Sequence, residues 1–188
     1  MEIKKKSYTG LSIISVICFL MLWYVCTDVL HLVSSMIMPS PLTVVKSFIT
    51  KLTSVNPDGG TLFQHIAESL KVALMGFGLG VVIGVPLGIT MAWFKTFDMI
   101  FKPVFDLIRP IPPIAWIPLI IMWLGIGILP KAVIIFFSAF IPCVINAYAG
   151  IKQTSVVHIW VAQTFGGKRS AILRKVAIPT ALPSIFTG

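Results

Sequence analysis

VALMGFGLGVVIGVPLGITMAWF, residues 72–94, runs 23 residues without a charge and carries a glycine at every fourth position from Gly76 to Gly88. About 20 apolar residues are what an α-helix needs to cross a hydrocarbon core of roughly 30 Å. Four residues is close to one helical turn, so Gly76, Gly80, Gly84 and Gly88 fall on one face, with Ala73 and Ala92 near the same strip. A strip of small residues in a membrane helix lets a second helix approach closely. The spacing therefore predicts a packed membrane span, and Pro86 within it predicts a local kink.

Three further stretches lack charge: 7–27, 110–130 and 132–151. Each has roughly the length of a span. The chain is 57% hydrophobic and 11% charged, too few charges to cover a water-facing surface. The first apolar run follows Lys4, Lys5 and Lys6, but it is longer than a signal h-region and no A-x-A-like site closes it, so it reads as an uncleaved span. Continuous apolar runs exclude a barrel's alternation and leave helices as the spanning element. The fold class is all-α: a polytopic membrane helix bundle. Cys18, Cys26 and Cys143 form no ligand spacing and lie in apolar runs, so no metal site is expected.

Charge sets the orientation. With the N-terminus cytoplasmic, the inside segments 1–9, 95–109 and 151–178 carry 3, 3 and 5 Lys/Arg. The outside segments hold Lys46 and Lys51 in 34–64, and Lys131 at a tight turn. Eleven against three is a positive-inside bias. That bias accounts for the basic residues, so nucleic-acid binding is not expected.

Outside, Asn56, Pro57, Asp58, Gly59 and Gly60 read as a turn. Before it, Ser40–Pro41 is a helix start. Val44, Val45, Phe48, Ile49 and Leu52 then share a face, predicting a short amphipathic helix that lies on the outer membrane surface or packs against the protein. RPIPPIAWIP, from Arg109, interrupts the third span. Pro110, Pro112, Pro113 and Pro118 oppose regular i→i−4 bonding. Either this is a broken helix beside a pathway, which makes Pro110, Pro112, Pro113, Trp116 and Pro118 pathway candidates, or the helix starts late with its prolines at the cytoplasmic edge. The turn Gly125–Pro130 makes spans three and four antiparallel neighbours. Glu68 and Lys71 sit three apart at the start of the second span, and His31, His65 and His158 lie in separate segments. No convergent acid, base and nucleophile exists, so no catalytic residue is expected and the chain does not read as an enzyme.

TFGGKRSAILRKVAIP, residues 164–179, fails as a phosphate loop: Ala162 stands where the first Gly is needed and Arg169 where Ser or Thr is needed. It reads instead as two short helices about a glycine. Val156, Ile159, Trp160 and Gln163 follow helical spacing, Gly166 is placed as a C-cap, and Ile172, Leu173 and Val176 form a second stripe that Pro179 ends or kinks. Such an elbow suits a protein groove.

This stretch resembles the cytoplasmic loop of ABC importer permeases, whose pattern is EAA, three residues, G, nine residues, I-x-L-P. Ala162, Gly166, Val176, Ile178 and Pro179 fall on that spacing; Trp160 stands where the family has Glu and Val161 where it has the first Ala. MPSPLTVV at 38–45, RPIPPIAWIPLIIMWLGIG at 109–127 and LPSIFTG at 182–188 resemble the nitrate, sulfonate and taurine branch. The resemblance implies a type I importer fold in a bacterial-type cytoplasmic (inner) membrane. It divides the chain into 1–60, holding the tail, first span and outer segment, and 61–188, the transmembrane domain with a coupling loop at 152–178. It implies that Trp160, Val161, Ala162, Gly166, Val176, Ile178 and Pro179 contact an ATPase. It also implies a second permease copy, two ABC ATPase subunits and an extracytoplasmic binding protein as partners beside the lipid bilayer. ATP-Mg would be used by the ATPase, with no cofactor on this chain. Such permeases have about six spans, so four spans ending as a fifth starts at Gly188 lead to the expectation of a C-terminally incomplete sequence. A permease for another solute, or a non-transporting membrane scaffold, are the competing readings.

Overall fold

The structure, a computed structural model, describes residues 5–187. Residues 1–4 of the first inside segment and Gly188, which closes LPSIFTG, lie outside the described residues. Every regular element among those described is helical, and the chain forms two compact units, Met1–Ala67 and Glu68–Gly188.

In the first unit, α1 (Lys5–Tyr24) runs on through a π-turn at Val25–Val29. Gly10–Val29 is long and apolar enough to cross a membrane. Thr27 is satisfied within the helix, its hydroxyl donating to Trp23 O at 2.8 Å. Helix α2 (Pro41–Thr53) begins as its residues require: Ser40 Oγ accepts from the Thr43 N–H at 3.3 Å and Pro41 occupies the first turn. Its stripe residues Val45, Phe48 and Ile49 are exposed. A charged clasp ties the following loop. The Lys51 ammonium donates to the Asp58 carboxylate and to Gly60 O, and His65 Nε2 lies 3.2 Å from Asp58 Oδ2. The Lys51 hydrogen bond holds the Asp58 carboxyl below its ordinary value of 3.8.

Helix α3 (Leu62–Trp93) contributes its residues from Glu68 onward to the second unit. There follow α4 (Lys95–Ile108), a 3-10 turn at Pro113–Trp116, α5 (Ile117–Leu124), α6 (Ile128–Lys152), α7 (Val156–Thr164), α8 (Arg169–Ile172), a π-turn at Leu173–Ala177, and α9 (Ile178–Phe186). Helices α3 and α6 are each long and apolar enough to span. The glycine strip of α3 lies against α6. A Cβ at Gly76 would stand 2.6 Å from Ala132 O, at Gly80 2.7 Å from Ala139 Cβ, at Gly84 3.0 Å from Cys143 Cβ, and at Gly88 2.5 Å from Val144 O. Gly78, off the strip, has nothing within 4 Å. Partners on α6 ascend with the glycines on α3, so the two helices run parallel. The intervening segment must therefore carry the chain back to the other end.

That return differs from the uncharged run 110–130 taken as one span. Helix α5 has only eight residues, about 12 Å of helix. It passes as a span only when paired with α4 across an 82° bend. Segment 95–109, read as an inside segment, is mostly the amphipathic helix α4. Its charges Lys95, Asp98, Lys102, Asp106 and Arg109 recur at intervals of three and four, a helical signature. Two clusters hold this unit together. One joins Met91, Phe105 and Val144; the other joins Ala92, Ile151, Ala177 and Ala181. At Gly150 of α6 a Cβ would meet Ser184 Cβ at 2.9 Å and Ala181 Cβ at 3.1 Å, so α9 also packs on a glycine.

Candidate functional site: the glycine elbow and the proline-broken segment

Helix α7 ends in a Schellman motif. The Gly167 N–H donates to Ala162 O at 2.9 Å and the Gly166 N–H to Gln163 O at 2.8 Å. Gly166 has φ +76°, a conformation that penalises a side chain even though the space around it is open. Gly167 is constrained differently: a Cβ there would stand 2.7 Å from Ala162 O. The pair of glycines thus turns the chain by backbone geometry alone, then releases it into α8.

The elbow presents its apolar side chains outward. Trp160 is 62% exposed, Val161 50% and Phe165 86%, with Val156 and Val157 exposed beside them. These exposed side chains lie close together in sequence, outside the helices long and apolar enough to span. The seven residues placed at the elbow by the family pattern do not form one surface. Trp160 and Val161 face outward, Ala162 and Gly166 build the turn, Val176 lies in the π-turn Leu173–Ala177, and Ile178 and Pro179 begin α9, where Ile178 packs against the buried cluster of Ala177 and Ala181. Pro179 neither ends nor breaks that helix. A π-turn precedes it, closed by the Ile178 N–H donating to Leu173 O, and α9 continues through the proline in its first turn.

Arg169, the first residue of α8, reaches back to the end of α3. Its Nη2 donates to Trp93 O at 2.9 Å, and its guanidinium stands 5.6 Å from the Phe94 ring centroid and 6.0 Å from that of Trp93. A cavity of about 370 Å³ lies beside it, lined by Trp93, Ile159, Gln163, Gly167, Arg169 and Ile172.

In the broken segment, Arg109 and Pro110 form a turn, a bend follows at Ile111, and the Ala115 N–H donates to Pro112 O at 2.9 Å. Pro110, Pro112 and Pro113 sit in or at the edge of this break, whereas Pro118 occupies the first turn of α5, where its missing N–H costs nothing. One helix ends at Ile108 and the next turn begins at Pro113. Trp116 stacks on Phe137, with centroids 5.7 Å apart and planes at 9°. From there Phe136, Phe140 and Phe105 continue an aromatic series. Among the described residues, the buried Trp116 indole N–H has no hydrogen-bond partner.

A polar group missed in the sequence lies between α4 and α6. The Tyr148 hydroxyl donates to Asp98 Oδ2 at 3.3 Å, and Lys102 Nζ and Lys152 Nζ stand 5.3 and 5.4 Å from the Tyr148 ring centroid. Only the regular charge spacing of α4 could have pointed to it. Among the described residues no three His, Cys, Asp or Glu side chains cluster as a metal site.

Residues 84–188 match the family described as binding-protein-dependent transport system inner membrane component. The chain is 38% identical over 169 residues to the taurine transport system permease protein TauC of Escherichia coli (strain K12), covering 88% of this chain and 60% of that protein. It is 33% identical over 159 residues to the putative aliphatic sulfonates transport permease protein SsuC of Bacillus subtilis (strain 168), covering 85% and 56%. It is 30% identical over 158 residues to the bicarbonate transport system permease protein CmpB of Synechococcus elongatus, covering 80% and 56%. The chain thus spans a little over half the length of these relatives.

Proposed function

This chain belongs to the family of binding-protein-dependent transport system inner membrane components, and from that premise we propose that it is permease sequence of an ATP-driven ABC importer that moves a small anionic solute inward. The observation that carries this reading is the elbow: a rigid glycine turn that exposes Trp160, Val161 and Phe165 beside helices locked together by glycines. An ATPase that grips the exposed face can pull a body that does not deform. Alternating access then follows from re-aiming α3, α6 and α9 about the proline-broken segment, whose irregular backbone is suited to lining a pathway. Two ATPase subunits, a second permease copy and an extracytoplasmic binding protein complete the assembly. ATP-Mg serves the ATPase, and this chain holds no cofactor of its own. The N-terminus lies in the cytoplasm, as the charge bias requires.

The relatives' names favour a taurine, alkanesulfonate or bicarbonate class of solute. Proteoliposomes holding a permease that contains this sequence, with its ATPase and binding protein, test the proposal. ATP-dependent accumulation of labelled taurine, an alkanesulfonate or bicarbonate is the expected result. An assembled complex that hydrolyses ATP yet accumulates none of a panel of small anions contradicts the solute class, and one that accumulates no solute at all contradicts the transport reading.

A further inference from the structure

Resting on that transport reading, we propose that Arg169 is a positioning residue: it fixes the elbow to the inner end of α3, so that a pull on α7 moves α3 and α6 as one body.

Three observations converge. First, the elbow joins α6 directly through residues 153–155, but α3 lies 76 residues away from Arg169 in sequence. Among the described residues, the Arg169–Trp93 hydrogen bond is the one hydrogen bond between segment 156–177 and α3. Second, the acceptor is Trp93 O, at the C-terminal end of α3, where carbonyls lack the next turn's N–H groups and the helix dipole is negative. A guanidinium there satisfies both, and its faces are free to stack on Phe94 and Trp93 while its edge donates. Third, the 370 Å³ cavity between α7, Gly167 and Trp93 leaves apolar packing incomplete at this junction. Without Arg169 the inner end of α3 is not tightly packed against α7 there, and elbow motion is absorbed by the gap.

The link also explains how one elbow reaches two spans. Helix α6 follows through its chain connection, and α9 through Gly150, Ala177 and Ala181. Helix α3 follows through Arg169, through the glycine strip, and through Ala92, which packs in the cluster of Ile151, Ala177 and Ala181.

The test compares wild type, Arg169→Ala, Arg169→Lys and the neighbouring control Lys168→Ala in the complex reconstituted with its ATPase and binding protein. The readout is solute accumulated per ATP hydrolysed. Arg169→Ala is expected to lower that ratio about tenfold while hydrolysis stays within about twofold, because the lost bond is charge-assisted and has no substitute. Arg169→Lys, which keeps the charge but not the planar fork, falls between, and Lys168→Ala keeps the wild-type ratio. An unchanged ratio in Arg169→Ala, with wild-type uptake present, overturns the link alone; absent wild-type uptake contradicts the transport reading on which it rests.

A second measurement decides the matter if Arg169→Ala does not assemble. Spin labels at positions 95 and 170, in an otherwise wild-type chain freed of Cys18, Cys26 and Cys143, report the distance between the inner end of α3 and the elbow. The same distance with and without ATP supports the link, and a distance that changes between the two states overturns it.

Discussion

A methyl group added at Gly80 would stand 2.7 Å from Ala139 Cβ, whereas one added at Gly78, two residues away, meets nothing. Gly80→Val should therefore destabilise the bundle by about 1–3 kcal/mol, the usual cost of overpacking, while Gly78→Val changes little. Unfolding of the two variants in detergent checks this, and equal stabilities would contradict the contact. At the elbow the two glycines fail for different reasons. Gly166→Ala carries the left-handed penalty, roughly 1–2 kcal/mol, with no steric neighbour. Gly167→Ala must instead displace the Ala162 carbonyl that its own N–H bonds, so it opens the turn. Amide exchange across 162–167 distinguishes them: Gly166→Ala keeps the protected pattern with faster exchange, and Gly167→Ala loses the Gly167 protection altogether.

Between residues and the whole lie elements whose sequence signals differ in reach. The charge-free runs are legible because lipid accepts only helices with no unpaired backbone. The strip Gly76–Gly88 is legible because one period repeats four times. Gly150 is not, since a lone glycine shows no register and its partners Ala181 and Ser184 lie on a later helix. Arg169 is hidden for the same reason, its acceptor being 76 residues upstream. Helix α4 was legible in the spacing of its five charges, but those charges also serve as a topology label, and that reading absorbed them. The turn before Pro179 could not be foreseen: a π-turn leaves no compositional mark.

At this scale too, the clasp on the loop after α2 makes a pH prediction. Because the Lys51 hydrogen bond holds the Asp58 carboxyl below 3.8, the folded loop favours the ionised form. The clasp's contribution is present above the unfolded carboxylate's value and is lost as pH falls through the lowered one. Protection of the amides of 54–61 should hold from neutral pH down past 3.8 and fail only below it. Asp58→Asn should lose that protection already at neutral pH, and exchange measurements on both chains check it.

For the whole molecule, the proposed function requires force to enter at one surface and leave at another. The parallel pair α3 and α6, zipped along four glycines, is the stiff element. The segment between them is broken, with a bend of 82°. On the proposed function, the exposed apolar face of α7 is where force would enter, and Trp160, where the family pattern has an acidic residue, would make that contact apolar rather than charged. The most direct measurement is a cysteine cross-link from that face to the ATPase in the assembled complex. Thiols placed at Trp160, Val161 and Phe165 should cross-link to the ATPase and be shielded from a water-soluble maleimide. Full maleimide reactivity at all three positions in a complex that hydrolyses ATP would contradict the account.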